Sequence, residues 1–85
     1  MSSSVLIVED DQSNANLVQS YFERDGYVVM VASDGFAGLA IARNDCPDLV
    51  ILDLNLPGMD GMELCRILRQ ESDVPIMMLT ARVGE

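Results

Sequence analysis

Four short apolar runs recur along the chain and constrain its fold more than any other feature: residues 5–8 (VLIV), 27–32 (YVVMVA), 49–52 (LVIL) and 76–79 (IMML). Each run is continuous, whereas a strand with one face in water alternates apolar and polar residues. Continuous runs of this length are typical of strands in a parallel sheet that is covered on both faces. The pattern therefore predicts an α/β protein.

The segments between these runs carry apolar residues at helical spacing. The first predicted helix ends at residues 25–26 (Asp-Gly), because glycine is favoured just beyond a helix. The second begins after Ser33 or Asp34, and the third begins at Asp60, where Glu63 completes a capping box. The residues expected on the buried faces of the three helices are Ala15, Val18, Tyr21 and Phe22; Phe36, Ala37, Ala40 and Ile41; and Leu64, Ile67 and Leu68.

The predicted order of elements is β-α-β-α-β-α-β. Right-handed crossovers between parallel strands place helices on both faces of the sheet. We expect a doubly wound parallel sheet with strand order 2-1-3-4, in which the first and third strands are neighbours where the order reverses. No linker or repeat divides the chain, so residues 1–85 are expected to form one domain. Because a covering helix normally follows a strand like the fourth, we expect this domain to be the N-terminal part of its fold.

The chain is strongly acidic, with five basic and fourteen acidic residues and a net charge of −9. Such a surface repels nucleic-acid phosphates, so we expect no nucleic-acid binding by this segment. The sequence contains no lysine and no histidine, which excludes lysine-based phosphate loops and histidine-based metal sites. No apolar run approaches the roughly 20 residues of a membrane helix, and the first residues lack the basic start of a signal peptide. We therefore expect a cytoplasmic protein without membrane contact.

Acidic residues follow two of the predicted strands, at the point where each strand ends. Glu9, Asp10 and Asp11 follow the first strand, and Asp53 follows the third. Doubly wound sheets bind ligands at the carboxyl ends of the strands where the order reverses, so three or four of these carboxylates should meet. Mg²⁺ resolves their mutual repulsion because it prefers oxygen ligands. Asp10 and Asp53 are the expected side-chain ligands, with the backbone carbonyl of Asn55 as a third ligand.

Each of these features also has a simpler explanation. An acidic run before a helix interacts favourably with the helix dipole. An aspartate after a buried strand is a common turn residue. The two features together, on strands that are expected to be adjacent, favour the metal site.

The segment after Asp53 predicts an open site. Residues 57–58 (Pro-Gly) force a turn, and the long loop around them is expected to keep Asp53 exposed. Thr80 ends the fourth strand beside it, where its hydroxyl can donate a hydrogen bond to a phosphoryl oxygen. The small side chain of Ala81 leaves room for a group to enter. Taken by itself, Thr80 is more often an ordinary hydroxyl at the end of a strand.

Three motifs in this order resemble the response regulator receiver family: VLIVEDD at residues 5–11, DLNLPGMDG at residues 53–61 and VPIMMLTA at residues 74–81. The resemblance implies a flavodoxin-like fold that stops before a final helix, strand and helix. It also implies that Asp53 is phosphorylated by a sensor histidine kinase or a phosphotransfer protein in two-component signalling.

The same resemblance implies roles for the neighbouring residues. Asp10 binds Mg²⁺ directly, Glu9 binds it through water, and Asn55 contributes its backbone carbonyl. Thr80 contacts the phosphoryl group and moves on activation, with Ala81 as the small residue beside it. A receiver is not an enzyme in the ordinary sense, because it helps to catalyse only its own phosphorylation and dephosphorylation. The expected result is a switch that acts on an output domain, such as a transcription regulator, or on a partner.

The chain departs from the family in its lack of lysine. The family has a lysine at the end of a fifth strand, where it pairs with the phosphoryl group. Because a charge-assisted hydrogen bond of roughly 1.5–3 kcal/mol is lost, we expect weaker phosphorylation than in an intact receiver. The fourth strand, within residues 74–79, should have an apolar open edge. We expect the chain to self-associate through this edge or by exchanging elements, or else to be partly unfolded.

Three alternative functions can be compared with this one. A nucleotide-binding enzyme would need a glycine-rich turn after the first strand, where this chain has acids. A phosphohydrolase with an aspartyl nucleophile commonly has a second aspartate two positions later, where this chain has Asn55. A phosphorylation-deficient fragment that acts only as an interaction module remains open as an alternative.

Overall fold

The computed structural model describes residues 3–79, so Thr80 and Ala81 lie outside the described residues. The elements follow the predicted order, with bounds β1 Ser4–Val8, α1 Gln12–Arg24, β2 Val28–Ala32, α2 Gly35–Asp45, β3 Leu49–Asp53, α3 Gly61–Glu71 and β4 Ile76–Leu79. The strands form one parallel sheet in the order β2-β1-β3-β4. The predicted fold class and strand order are confirmed.

β1 lies inside the sheet because it pairs with a strand on each side. Val8 pairs with Ala32 of β2 and with Leu52 of β3, so the carboxyl ends of these three strands lie level. This register brings the residues that follow β1 next to Asp53, the last residue of β3.

Helices cover both faces of the sheet, which explains why the strands are apolar throughout. The face that carries Val5 and Ile7 packs against Val18 and Phe22 of α1. The opposite face packs against α2 and α3 in a larger buried cluster of Leu6, Val8, Ala32, Leu39, Val50, Leu52, Leu64, Cys65 and Leu68. Complete burial of an aliphatic side chain contributes about 1.5–3 kcal/mol, so β1 anchors the sheet between its two helical layers.

Aspartate side chains cap the three described helices. Asp11, Asp34 and Asp60 each accept a hydrogen bond from a backbone N–H in the first turn, at 3.1, 2.8 and 3.3 Å respectively. A cap of this kind contributes about 1 kcal/mol. The predicted capping box is wrong in one respect, because Glu63 forms an ion pair with Arg66 one turn along the helix. None of these three helices is long and apolar enough to cross a membrane.

The helix faces predicted from apolar spacing are wrong at three positions, since Tyr21, Phe36 and Ala40 are exposed. In α2 it is Gly38 that faces the sheet, and a Cβ built on it would lie 2.8 Å from Cγ2 of Val8. The missing side chain therefore lets α2 approach β1 closely. Apolar spacing does not reveal this contact, because glycine contributes no side chain to the pattern.

β4 forms an edge of the sheet built by residues 3–79. It pairs with β3, and no other described strand pairs with its second side. The Met77 side chain on this strand is 51% exposed. The fourth strand therefore presents apolar surface at a sheet edge.

Candidate functional site

Three carboxylates meet where β1 and β3 end. Glu9 and Asp10 directly follow β1, and Asp53 is the last residue of β3. One carboxylate oxygen from each side chain lies within 4.8 Å of the other two. The fourth acid of this region, Asp11, instead forms the N-cap of α1. The parallel pairing of two strands thus collects three of the four acids into one cluster.

Two of the three acids in this cluster are buried. Asp53 has 0% of its surface exposed and Glu9 has 2%, whereas Asp10 is exposed. The prediction that the following loop keeps Asp53 exposed is therefore wrong. Asp53 still belongs to β3, where it pairs with Leu79 of β4, and the acids after β1 lie against it. Asp10 is the member of the cluster that is in contact with solvent.

Two backbone N–H groups hold the buried carboxylates. The N–H of Asp11 donates to Oε2 of Glu9 at 3.1 Å, and the N–H of Asn55 donates to Oδ1 of Asp53 at 3.2 Å. The second oxygens, Glu9 Oε1 and Asp53 Oδ2, are buried without a hydrogen-bond partner in the described part of the chain. Leaving such an atom unpartnered is unfavourable by about 1–3 kcal/mol, and by more when it is charged. The arrangement therefore favours a positively charged ligand.

The electrostatic environment disfavours the ionised form of Glu9. Burial raises the pKa of Glu9 above its ordinary value of 4.5, and the hydrogen bond from the N–H of Asp11 partly opposes that rise. Asp53 and Asp10 raise the same pKa further through repulsion between like charges. Within residues 3–79 no arginine forms an ion pair with the cluster. The ion pairs found there are Arg43–Glu71, between α2 and α3, and Arg66–Glu63, within α3.

A closed loop, residues 54–60, joins Asp53 to α3. The N–H of Gly61 donates to the carbonyl of Leu54 at 3.1 Å and so connects the two ends of the loop. A Cβ on Gly61 would overlap the carbonyl oxygen of Asp53, so only glycine allows this approach. The Asp-Gly pair before α3 predicted a helix cap, but its contact with the end of β3 was not recognisable from the sequence.

The donor set suits a hard divalent cation such as Mg²⁺. Each of the three side chains offers a carboxylate oxygen, and two of the three have a buried oxygen that no other described residue contacts through a hydrogen bond. Mg²⁺ prefers oxygen ligands and keeps several waters, for which the exposed side of Asp10 leaves room. Asn55, the predicted source of a carbonyl ligand, donates a hydrogen bond from its N–H to Asp53. Thr80 and Ala81, which were predicted to lie beside the cluster, are outside the described residues.

Sequence comparisons identify relatives of this chain. The profile described as the response regulator receiver domain matches residues 5–85. Transcriptional regulatory protein CseB of Streptomyces coelicolor is 50% identical over 78 residues, which cover 92% of this chain and 33% of CseB. Alkaline phosphatase synthesis transcriptional regulatory protein PhoP of Bacillus subtilis is 46% identical over 86 residues, which cover 100% of this chain and 36% of PhoP. The chain spans about a third of the length of these relatives.

Solved structures share the fold. Chemotaxis response regulator CheY4 of Vibrio cholerae matches with a TM-score of 0.90 and 34% identity, over 99% of this chain and 72% of that chain. The non-phosphorylated HemR receiver domain of Leptospira biflexa matches with a TM-score of 0.84 and 34% identity, over 98% and 68% respectively. The profile match, the relatives and the shared strand order agree with one another. The chain therefore belongs to the response regulator receiver domain family.

Proposed function

We propose that this chain is the phosphoacceptor segment of a two-component response regulator, in which Asp53 accepts a phosphoryl group while Mg²⁺ is bound at the acidic cluster. The donor is a sensor histidine kinase or a phosphotransfer protein. The observation that carries the proposal is the pair of buried oxygens, Glu9 Oε1 and Asp53 Oδ2, which have no hydrogen-bond partner within residues 3–79 and lie beside the exposed Asp10. A cation would offset the repulsion within such a cluster, and membership of the receiver family supports phosphoryl transfer as its purpose.

Asp53 is the proposed nucleophile. One of its carboxylate oxygens bonds to phosphorus in line with the leaving group, whose own bond to phosphorus breaks. The product is an acyl phosphate, and its hydrolysis by water restores the carboxylate. The N–H of Asn55 orients Oδ1 of Asp53, and Oδ2 has no hydrogen-bond partner among the residues that the structure describes. Bound Mg²⁺ would offset the charge on the phosphoryl oxygens, with Asp10, the Asn55 carbonyl and, through water, Glu9 as further ligands.

The remaining roles follow from family membership. Thr80 is proposed to donate a hydrogen bond to the phosphoryl group, and Ala81 to leave room for it. The chain assists only its own phosphorylation and dephosphorylation, so we do not class it as an enzyme.

The relatives named as transcriptional regulators support a role in transcription regulation for the protein to which this segment belongs. We propose that this protein is cytoplasmic. Because the segment carries a net charge of −9, we assign any DNA contact to residues outside it.

Asp53→Asn should abolish phosphorylation while the fold is kept, because the substitution is nearly isosteric. The chain is incubated with Mg²⁺ and acetyl phosphate, and labelling is measured by intact mass spectrometry. Hydroxylamine should remove the label, as expected of an acyl phosphate. Asp73→Asn, which changes an exposed aspartate, is the matched control and should be labelled like the unmodified chain. Labelling that persists in Asp53→Asn would disprove the assignment, and an unlabelled native chain would favour the interaction module.

Glu9→Gln should stabilise the Mg²⁺-free chain at neutral pH. The pKa of Glu9 is raised in the folded state, so the unfolded state ionises first as the pH rises through 4.5. The unfolded state then holds fewer protons, and the free energy of unfolding falls with rising pH. The advantage of Glu9→Gln should therefore vanish below about pH 4.5, where Glu9 is protonated in both states. Urea unfolding of the native chain and of Glu9→Gln at several pH values measures the difference between their free energies of unfolding.

Two comparisons make the Glu9 experiment specific. Glu23→Gln changes the net charge by the same amount as Glu9→Gln, but it removes an exposed carboxylate. It should therefore have little effect on the free energy of unfolding. Saturating Mg²⁺ should reduce the stability gain of Glu9→Gln over the native chain, because a bound cation stabilises the ionised Glu9 carboxylate of the native chain. An advantage that is independent of both pH and Mg²⁺ would contradict this account of the cluster.

We also propose that two copies of the chain associate through β4. This strand is an edge of the described sheet, and its Met77 side chain is half exposed. An open apolar edge pairs readily with another strand. Sedimentation velocity over a range of concentrations should show a growing dimer fraction, which Met77→Lys should reduce by placing a charge at the edge. A monomer at every concentration would refute the association.

A further inference from the structure

The loop that follows Asp53 is supported by the start of α2. A Cβ built on the buried Gly35 would lie 2.7 Å from Cβ of Met59 and 3.1 Å from the Met59 carbonyl oxygen. A Cβ built on Gly58 would lie 3.2 Å from Cε2 of Phe36. Two consecutive residues of α2 therefore approach two consecutive residues of the loop, and in each pair a glycine makes the approach possible.

The Phe36 ring in this contact is not explained by core packing, because it is 63% exposed. The ring lies against Gly58, whose φ of 77° is a left-handed conformation that favours glycine in any case. The helix start that carries Phe36 is itself fixed, since the side chain of Asp34 accepts a hydrogen bond from the N–H of Ala37 at 2.8 Å. Phe36 is thus a large side chain held over the middle of the loop.

The loop requires such support because it contributes backbone groups to the acidic site. The N–H of Asn55 holds Asp53, and its carbonyl is a proposed metal ligand. Leu56 and Met59 pack against the core, but Gly58 has no side chain that could do so. The groups that bind a ligand must be held within about 0.5 Å of the positions that the ligand requires. A loop holds such groups less rigidly than a strand does.

We propose that Phe36 is a positioning residue of the acidic site. Its ring holds residues 54–60 so that the backbone of Asn55 keeps the distance from Asp53 that a divalent cation requires. The inference rests on the proposed function for the identity of the ligand. It extends that function by assigning the support of the loop to one exposed aromatic side chain of α2.

Phe36→Ala in the 85-residue chain tests the proposal through Mg²⁺ affinity, measured by titration calorimetry. We expect affinity to fall roughly tenfold, the lower end of the effect of removing a residue that supports metal ligands. Amide hydrogen exchange should accelerate within residues 54–60, while the strands keep their protection. Phe36→Tyr retains the ring and should stay within about twofold of the native chain, as should Tyr21→Ala, which truncates a 67% exposed aromatic on α1.

The outcomes separate this inference from the proposed function. If the native chain binds Mg²⁺ and Phe36→Ala binds it equally well, the positioning role is overturned and the proposed function stands. If the native chain binds no Mg²⁺, the proposed function fails. In that case hydrogen exchange decides the role of Phe36: faster exchange confined to residues 54–60 supports it, and unchanged exchange overturns it.

Discussion

The parallel pairing of β1 with β3 is the interaction on which the rest of the structure depends. It places Glu9 and Asp53 side by side at the ends of neighbouring strands, and helices on both faces of the sheet build the core beneath them. Both carboxylates are buried, and each has one oxygen without a partner among the described residues. A divalent cation would relieve their mutual repulsion. The fold and the proposed function therefore have one physical origin.

The fold was predictable from the sequence because its strongest signal, continuous apolar character, runs along all four strands, of which β1 and β3 are the buried pair. The caps at Asp34 and Asp60 were predictable because capping depends on local sequence. The burial of Asp53 was not, since it depends on which residues of another strand lie against it. The close approaches of Gly38 to Val8 and of Gly61 to Asp53 were not predicted, because a glycine has no side chain that would contribute to the pattern of apolar residues.

The site combines two kinds of structural support. Its charges come from strand ends, whose positions are fixed by the sheet and its core. The backbone of Asn55 comes from residues 54–60, whose path is set by close contacts with Asp53 and with the start of α2. A strand end is rigid, whereas a loop adapts more readily. We therefore attribute the presence of the acidic cluster to the sheet and the spacing of the groups around it to the loop.

The central claim is that Mg²⁺ binds at this cluster, and amide chemical shifts during a Mg²⁺ titration test it most directly. The account predicts that the shift changes concentrate at residues 9–12 and 53–56, where the acids and the N–H groups that hold them lie. They should saturate with a single dissociation constant. Small changes spread over all fourteen acidic residues, without saturation, would show only diffuse screening of charge and would contradict the account.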